Sequence, residues 1–567
     1  MKKVLFVLVL ASLLLAACST PTPEPTKAPP TSAPVASTKA PEPTKAPAAT
    51  TAPATSAPAA TKAPEPTKAP AAATKAPEPT KAPAAGVTPK TGGTLTILVR
   101  ALPNPIGNTL TNFAPGNTLY LFPAAEPLVG VAPDGQFVPN KLAVGWDVAP
   151  DGKAITFKLR QGVKFHDGTD FNAEAVKYNL DATRTARAEL KVITSVDVVD
   201  TYTVKLNLSD WSNTILNQLS WHNGVMISPA SVKGQTAEYI ATHVVGTGPF
   251  MLKEFQAETK LVFTKNANYW EKGKPYLDGI TYLLVADQNT SKNAFLSGQA
   301  NAWDYLDAKN APELVKQGYK INTTPGLGRI IYTDSINADS PFSKKEVRYA
   351  FEHAIDKQAI VDAFGYGTWK VAVGPCAETH LGCAVATANA RKYDPAKAKQ
   401  LLAQAGYPNG FKMSFYAVGS IENEMLTAIQ AYLKDVGIQA EMSKPDSATG
   451  TTLHLEGWKN GVWLQGLTTD SPSYVAALQS DGPNRAKIFS SDVPAKYTEL
   501  LAQAAAAKDA ATQKATSEAL IKYVQDEALF IPLFITSRTV VYTSKVHFDL
   551  DAYSVHSWNP GDAWLDP

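Results

Sequence analysis

The alternation of apolar and polar residues predicts β-strands in the first half of the folded part of the chain. In AITFKLRQGVKF, the apolar residues Ile155, Phe157 and Leu159 alternate with polar ones, as in a strand with one buried face. TYTVKLNL, from Thr201, has the same alternation, and GGTLTILVR, from Gly92, is a further strand candidate. We expect the first two segments to be neighbouring antiparallel strands of one sheet.

Two later segments have the apolar spacing of helices. In PFSKKEVRYAFEHAIDKQAIVDAFGYG, Ser343 and Glu346 have the spacing of a capping box, and Gly365 is predicted to end the helix. In YDPAKAKQLLAQAGYPNG, Asp394 is predicted to cap a helix that stops at Gly406. Together with the strands, these helices indicate an α/β fold.

The C-terminal part continues this mixture of elements. Residues 496–525 are an Ala-rich amphipathic stretch that predicts more helix. IPLFITSRTVVYT predicts a final pair of strands. Residues 91–567 are long enough for about three lobes of roughly 150 residues each.

The N-terminus has the pattern of a secretory signal. Two lysines precede an apolar run from Val4 to Leu15, which is shorter than the ~20 residues that span a bilayer. The segment LAAC, ending at Cys18, resembles the bacterial lipobox, which implies removal of residues 1–17 and lipidation of Cys18. The alternative is an ordinary secretory signal with a chance cysteine. Both alternatives place the protein outside the cytoplasm, and lipidation would anchor it to the outer face of the cell membrane.

Residues 18–91 are predicted to be an unfolded tether. The segment is nearly all Pro, Thr, Ala, Lys, Ser and Glu, and TKAPEPTKAPAA occurs from Thr38 and again from Thr61. Because it has few large apolar side chains to offset chain entropy, it cannot form a core. At ~3.1 Å per residue in polyproline II geometry, its outer reach is about 200 Å. A mucin-like glycosylated stalk is the competing interpretation.

The charge of the folded part does not favour nucleic acid as a partner. Residues 1–90 contain ten lysines and four glutamates, so the formal charge of +2 for the whole chain becomes −4 for residues 91–567. We also find no Gly-x-Ser-x-Gly elbow, His-Glu-x-x-His, phosphate loop or dinucleotide fingerprint in the sequence. The sequence therefore predicts a protein without catalytic residues or cofactor.

The segment CAETHLGC is the strongest local candidate for a metal site. It places Cys376, His380 and Cys383 within eight residues. Since an extracytoplasmic compartment is oxidising, a Cys376–Cys383 disulfide is favoured over a Cys-His metal site, with free thiols as the third possibility. We therefore predict no metal site.

Seven ordered segments carry a resemblance to a known family. They include KLAVGWDVAPDGKAITFKLRQGVKFHDGTDFNAEAVKYNL from Lys141, VGTGPFMLKEF from Val245 and NANYWEKGKPYLDGITY from Asn266. The two helical segments above, LKDVGIQAEM and IPLFI complete the set. The chain resembles the family 5 extracytoplasmic solute-binding proteins, which are the oligopeptide, dipeptide and nickel receptors of ABC transporters.

The resemblance implies a two-lobed fold of the periplasmic-binding-protein type II, cluster C, with a hinge between the lobes. Residues 92–130, 245–333 and 527–567 would form lobe I, and residues 334–526 would form lobe II. Residues 131–244 would form an extra α/β domain. A solute would bind in the cleft between the lobes of a monomer, which would deliver it to an ABC permease and ATPase complex.

The resemblance also suggests where the solute binds. Peptide receptors of this family have a Gly-Trp segment and, three residues after the Trp, an aspartate that pairs with the α-ammonium of the peptide. Matching GWKNG to this motif puts Gly461 at the aspartate position, which would serve free peptide N-termini poorly. Trp458, Asn460 and Trp463 would instead stack on and hydrogen-bond a neutral, hydroxyl-rich solute.

Two further residues are candidates for the cleft, Trp303 and Asp304. The structural alternative for each tryptophan is a place in the core. The family favours an oligopeptide as solute, and the missing carboxylate favours an oligosaccharide or another neutral solute. A surface sensor lipoprotein that kept the fold without transport is the third hypothesis.

Overall fold

We analysed a computed structural model of the chain. It describes residues 88–103, 106, 110, 117–132, 136–374, 376, 383, 386, 390–419, 421–468, 490–547 and 558–567. The predicted signal, most of the predicted tether, Cys18 and His380 lie outside the described residues.

The described elements alternate between strands and helices throughout the chain. The strands are β1 Thr94–Val99, β2 Gly130–Val131, β3 Phe137–Val138, β4 Ala143–Val148, β5 Ala154–Leu159, β6 Ile193–Asp200, β7 Thr203–Leu208, β8 Phe250–Gln256, β9 Lys260–Lys265, β10 Gly279–Leu284, β11 Ala302–Asp304, β12 Lys320–Thr333, β13 Lys370–Val371, β14 Phe411–Ala417, β15 Ile438–Ser443, β16 Gly461–Thr468, β17 Ile531–Tyr542, β18 Val546–His547 and β19 Trp564–Leu565. The α-helices are α1 Thr118–Leu121, α2 Ala173–Ala186, α3 Thr214–Leu219, α4 Pro229–Val232, α5 Ala237–Thr242, α6 Gln288–Leu296, α7 Ala311–Lys316, α8 Lys345–Ala354, α9 Lys357–Phe364, α10 Pro395–Gln404, α11 Asn423–Asp435, α12 Ser447–Glu456, α13 Ala495–Ala506 and α14 Ala510–Asp526.

One 11-stranded sheet runs through both lobes. Its order is β15-β14-β16-β12-β17-β11-β1-β10-β9-β8, and β13 pairs with β17. In lobe I, β1 is parallel to β10 and β11. In lobe II, β14 is parallel to β15 and β16. The two parallel groups are joined by the long central strands β12 and β17, which are antiparallel to each other.

The two central strands form the hinge. Residues 320–325 of β12 pair with 537–542 of β17, and residues 328–331 pair with 531–535. Between Pro325 and Gly328 the register shifts, and the Thr536 hydroxyl donates to the Leu327 carbonyl at 3.0 Å. The chain thus passes between the lobes inside each strand. The predicted division puts both paired segments in lobe I, and its boundaries at 333 and 527 stay predictions. Residues 328–333 and 531–535 are described here with lobe II, because 328–333 pair with β16 and 328–331 pair with 531–535.

The extra domain has its own sheet and core. Its strands are ordered β4-β5-β7-β6 and are all antiparallel. Phe157 lies opposite Val204, so the predicted pairing of the two alternating segments is confirmed. Both side chains are fully buried, in one cluster with Val176 and Leu180 of α2.

The predicted helices are partly confirmed. Asp394 caps α10 by accepting from the Lys397 N–H at 2.8 Å, as expected. The predicted capping box at Ser343 is wrong, because Ser343 lies in a 3₁₀ turn and its hydroxyl donates to the Ser340 carbonyl. The single helix predicted to end at Gly365 is divided into α8 and α9, because Ile355 has an extended backbone and Asp356 caps α9.

Two predictions for the C-terminal part need correction. The segment IPLFITSRTVVYT was predicted to be a pair of strands, whereas it contains the single strand β17 that runs through both lobes. The Ala-rich stretch 496–525 is helical, but it is divided into α13 and α14. The second helix is capped by Asp509, which accepts from the Thr512 N–H.

The extra domain also contacts lobe II. The Asn213 side-chain amide donates to the Ala504 carbonyl at 2.7 Å, and its backbone N–H donates to Ala505 at 2.8 Å. The Trp211 indole donates to the Ala507 carbonyl at 3.2 Å. These bonds end on the last turn of α13, whose carbonyls lack intrahelical donors. The extra domain is therefore connected directly to lobe II by these three hydrogen bonds.

Candidate ligand cleft

The carboxyl ends of the parallel strands in both lobes lie beside the hinge. In lobe I, β1 ends at Val99 and is followed by Arg100, and β11 ends at Asp304 and is followed by Tyr305. In lobe II, β16 ends at Thr468, which pairs with Leu327 in the hinge segment of β12. In open α/β sheets, ligands bind in the crevice outside the carboxyl ends of the strands. The geometry therefore places the candidate cleft between these two edges.

An ion pair marks the lobe I edge of the cleft. Arg538 Nε donates to Asp304 Oδ1 at 2.9 Å, and Arg538 Nη2 donates to Asp304 Oδ2. Asp304 also accepts from the Tyr305 N–H at 2.8 Å, and its carboxylate is fully buried. Such a buried carboxylate is stable only because these donors satisfy it. Burial raises the pKa of the nearby Tyr120 hydroxyl, and the negative charge of Asp304 raises it further.

Two guanidinium groups contact one exposed ring at this edge. The Arg100 Cζ lies 4.4 Å from the centroid of the Tyr305 ring, and the Arg538 Cζ lies 4.6 Å from it. Tyr305 has a left-handed backbone with φ of 57°, which turns the chain at the end of β11. The edge thus combines an aromatic ring with two positive charges.

A third arginine lies on the lobe II side of the hinge. Arg329 of β12 is opposite Gly466 of β16, and its Nη1 is 3.4 Å from the place that a Cβ of residue 466 would take. Burial lowers the pKa of the Arg329 guanidinium, and the positive charge of Arg100 lowers it further. The Arg329 guanidinium thus lies beside β16, after the register shift in β12.

The two predicted cleft tryptophans of LEGWKNGVW are in the core of lobe II. Trp458 is 4% exposed and Trp463 is 5% exposed, with ring centroids 5.4 Å apart. They belong to a cluster with Ile330 and Tyr332. The Trp458 Nε1–H donates to the Gly461 carbonyl at 3.2 Å. Both side chains thus pack in the core, and their predicted stacking on a solute stays a prediction.

Asn460 and Gly461 form the turn into β16 rather than a ligand surface. Asn460 has φ of 46°, and its N–H donates to Asp334 Oδ2 at 2.6 Å. A Cβ at Gly461 would lie 2.5 Å from the Ser414 carbonyl oxygen of β14, so no side chain fits there. Gly461 is also at the amino end of β16, whereas the carboxyl end borders the hinge. The match of GWKNG to the peptide-receptor motif stays a prediction, and this turn geometry does not favour it.

A second segment satisfies the spacing of that motif at the correct edge. In GLTTD, Gly466 is followed by Leu467 at the Trp position and by Asp470 three residues later. Gly466 pairs with Arg329 beside the hinge. Asp470 itself lies outside the described residues.

The remaining predicted residues separate into core and cleft edge. Trp303 is 1% exposed and packs in lobe I with Leu98 and Phe295. Asp304 does lie at the cleft edge, but its carboxylate is bound to Arg538 rather than open to a solute. The arginines at positions 100, 329 and 538 were missed in the sequence. The available signal was an arginine directly after the strand TLTILV, which alone does not reveal its neighbours.

The cysteine segment contains a disulfide in the structure. Cys376 and Cys383 are bonded through their sulfur atoms, with Cα atoms 6.1 Å apart, and both are buried in lobe II. Within the described residues, no group of three or more His, Cys, Asp or Glu side chains is arranged to hold a metal ion. No helix in the described part of the chain combines the length and apolarity that a membrane span requires.

The two lobes share one sheet and are joined by a two-strand hinge, with the carboxyl edges of their strands facing each other. This arrangement is that of a hinged solute-binding protein. Comparison with known families identifies which one. The family model for bacterial extracellular solute-binding proteins, family 5, matches residues 137–487, and the chain belongs to this family. The predicted resemblance and two-lobed fold are thereby confirmed.

Individual relatives agree with the family. The glutathione-binding protein GsiB of Shigella dysenteriae is 32% identical over 457 residues, covering 76% of this chain and 84% of the relative. The structure of AgaA from A. tumefaciens R10 with agropinic acid has a TM-score of 0.68 and 26% identity, covering 84% of this chain and 99% of that chain. The structure of HbpA2 from Haemophilus parasuis has a TM-score of 0.73 and 21% identity, covering 84% of this chain and 100% of that chain.

Family membership defines the class of activity. Family 5 proteins bind solutes outside the cytoplasm for ABC transporters and are not enzymes. This protein is therefore an extracytoplasmic solute-binding protein that works with a permease and an ATPase. The predicted absence of catalysis follows from the family rather than from any missing group.

Proposed function

We propose that this protein is the lipid-anchored receptor of an ABC importer for a small peptide-type solute. The observation that carries the proposal is the cleft edge, where Arg100, Arg329 and Arg538 surround the hinge and Tyr305 offers an aromatic surface. Closure requires only that the solute contact both lobes and so bind the closed arrangement more tightly.

The charge of this edge favours a peptide over a neutral oligosaccharide. A sugar gains most from exposed aromatic faces, and Trp458 and Trp463 are packed in the core. A peptide-type solute has carboxylates for guanidinium groups and an ammonium for a carboxylate such as Asp470. The relative GsiB is named for glutathione, and the structure of AgaA is a complex with agropinic acid; both of these ligands carry carboxylates.

The membrane anchor is part of the proposal. LAAC at the end of the apolar run places the lipid on Cys18, and residues 18–91 then connect the lipid to the folded part. Cys18→Ser should release the protein from the membrane fraction, and mass spectrometry should show that the diacylglyceryl mass is lost. Unchanged membrane retention would support another form of attachment.

Calorimetry with a defined panel tests the solute class. Glutathione, free-acid tripeptides and neutral oligosaccharides are titrated into the purified protein. We expect glutathione or a free-acid tripeptide to bind and the oligosaccharides not to bind. Binding of an oligosaccharide alone would favour a neutral solute instead.

The sensor hypothesis is tested by uptake. Cells lacking this protein should lose import of the radiolabelled solute that binds in calorimetry. Import that continues unchanged would favour a receptor that senses the solute without transporting it.

A further inference from the structure

The extra domain is joined to lobe I beside both of its chain connections. At the first connection, the Ala143 N–H donates to the Leu128 carbonyl at 2.9 Å. At the second, the His166 N–H donates to the Gly246 carbonyl at 2.9 Å, and the His166 Nε2 lies 2.9 Å from the Gly248 carbonyl oxygen. We therefore expect the extra domain to move with lobe I when the hinge opens or closes.

The helix that the extra domain contacts belongs to lobe II. Tyr497 and Leu500 of α13 are buried in one cluster with Ile330 and Tyr332 of β12. The two β12 residues follow the register shift of the hinge and pair with β16. Helix α13 therefore moves with lobe II, and the contact joins bodies that lie on opposite sides of the hinge.

Hydrogen bonds cross this contact in both directions. From the extra domain, the buried side chains of Trp211 and Asn213 donate to the last carbonyls of α13 and of the residue after it. From lobe II, the Lys508 Nζ donates at 2.8 Å to the Pro150 carbonyl, in the turn between β4 and β5. A Cβ at Gly152 in the same turn would lie 3.2 Å from the Lys508 Nζ and 2.8 Å from the Trp211 Cβ. The two surfaces are thus closely fitted.

Movement at the hinge has to break these bonds. A hydrogen bond needs a donor–acceptor distance of about 2.7–3.2 Å, so a separation of a further ~2 Å removes it. Once the bodies separate, the carbonyls at the end of α13 bond to water instead. The contact therefore stabilises the arrangement in which the extra domain lies against lobe II, relative to any arrangement in which the lobes are further apart.

We propose that Trp211, Asn213 and Lys508 form a latch that holds the lobes closed over a bound solute. The three side chains bond to carbonyls of the protein, so the latch stabilises the closed arrangement equally for every solute. It sets how long a solute stays bound, whereas contacts inside the cleft set which solute binds. This inference goes beyond the proposed function and does not depend on the identity of the solute.

Hydrogen exchange of the full chain without solute tests the latch, with mass spectrometry as the readout. The Asn213 N–H donates to α13 across the contact at 2.8 Å, so it exchanges when the latch opens. Lys508→Met removes the bond to Pro150 and leaves Asn213 intact. We expect exchange at Asn213 to become about 5-fold faster in this variant. The Leu208 N–H, which donates to Lys153 inside the extra domain at 2.9 Å, should keep its rate.

Stopped-flow dissociation tests the effect of the latch on a bound solute. The probes are glutathione and the tripeptide Ala-Ala-Ala. Asn213→Ala removes the side-chain bond to Ala504, and we expect both probes to dissociate about 5-fold faster. Trp211→Phe keeps an apolar ring but loses the indole N–H, so we expect a smaller increase, equal for the two probes. Only folded protein contributes to this rate constant, so partial unfolding of a variant does not change it.

Asn207→Ala is the matched control for Asn213→Ala. The Asn207 side-chain amide donates to Ser195 and Asp197, so its bonds stay inside the extra domain. This variant should have the wild-type exchange rate at Asn213 and the wild-type dissociation rates.

Each outcome decides the latch. Unchanged exchange at Asn213 in Lys508→Met, or unchanged dissociation in Asn213→Ala, would overturn it. Faster dissociation of only one probe would assign Asn213 to solute recognition and would overturn the latch as well. If neither probe binds wild type, the proposed function fails, and the exchange experiment still decides the latch because it needs no solute.

Discussion

Trp458→Ala separates a core tryptophan from a ligand-stacking one. The side chain is 4% exposed, contacts Trp463 with centroids 5.4 Å apart, and donates its indole N–H to Gly461. Truncating a buried Trp to Ala typically costs about 3–5 kcal/mol, because transfer energy is lost and a cavity remains. The aromatic pair contributes about 0.5–1.5 kcal/mol beyond its buried area. We therefore expect a loss in the free energy of unfolding on the order of 4 kcal/mol.

The assay is unfolding of the protein in the absence of solute. For a domain of about 200 residues, a loss of ~4 kcal/mol lowers Tm by roughly 8–16 °C. Trp458→Phe is the matched control, because it keeps an apolar ring and should lose much less stability. Solute affinity, measured well below the lowered Tm, should change little. A variant with unchanged Tm and abolished affinity would refute the core assignment and restore the stacking role.

Three further changes test other parts of the structure. Gly461→Ala should lower the free energy of unfolding by about 1–3 kcal/mol, because its Cβ would approach the Ser414 carbonyl; unchanged chemical denaturation would contradict this packing. Asn213→Ala removes the buried amide bond to Ala504 and should weaken solute binding about 5-fold, provided that closure forms the bond; equal calorimetric affinity would show that the contact does not contribute to closure. Burial lowers the pKa of His222 to about 3, and the charge of Arg187 is a smaller cause. His222 therefore stays neutral in the folded state, whereas in the unfolded chain it takes up a proton below pH ~6.5. Stability is therefore lost as the pH falls from about 6.5 toward 3. His222→Asn should flatten denaturation midpoints across this window, and an unchanged slope would refute the assignment.

Local pattern was sufficient for much of the fold. The alternating segments around Phe157 and Val204 form the antiparallel pair that they predict, because one face of each strand is buried and the other is solvated. The Asp394 cap was also predictable, since a capping side chain needs only donors a few residues away. The predicted capping box at Ser343 was wrong, because its hydroxyl donates instead to the Ser340 carbonyl within a 3₁₀ turn.

The candidate site depended on contacts between distant parts of the chain. The segment LEGWKNGVW has the right composition for a ligand surface, but the pairing of Gly461 with Ser414 turns it away from the hinge. Aligning by the Gly-Trp dipeptide alone therefore selected the amino end of β16. The strand direction, which depends on pairing with β12 and β14, points instead to Gly466 and the sequence that follows it.

The sequence by itself determined the class of protein through seven ordered segments of a solute-binding family, and its secretory signal and Pro-rich tether stay predictions. It also determined most local elements, because these depend on periodicity and on caps within a few residues. Only the tertiary structure decided which residues border the cleft. More than 200 residues separate Arg100 from Arg329 and Arg329 from Arg538. The pairing of β1 with β11, of β11 with β17 and of β17 with β12 brings their strands into one sheet. Such proximity depends on sheet order and strand direction, which no local pattern encodes.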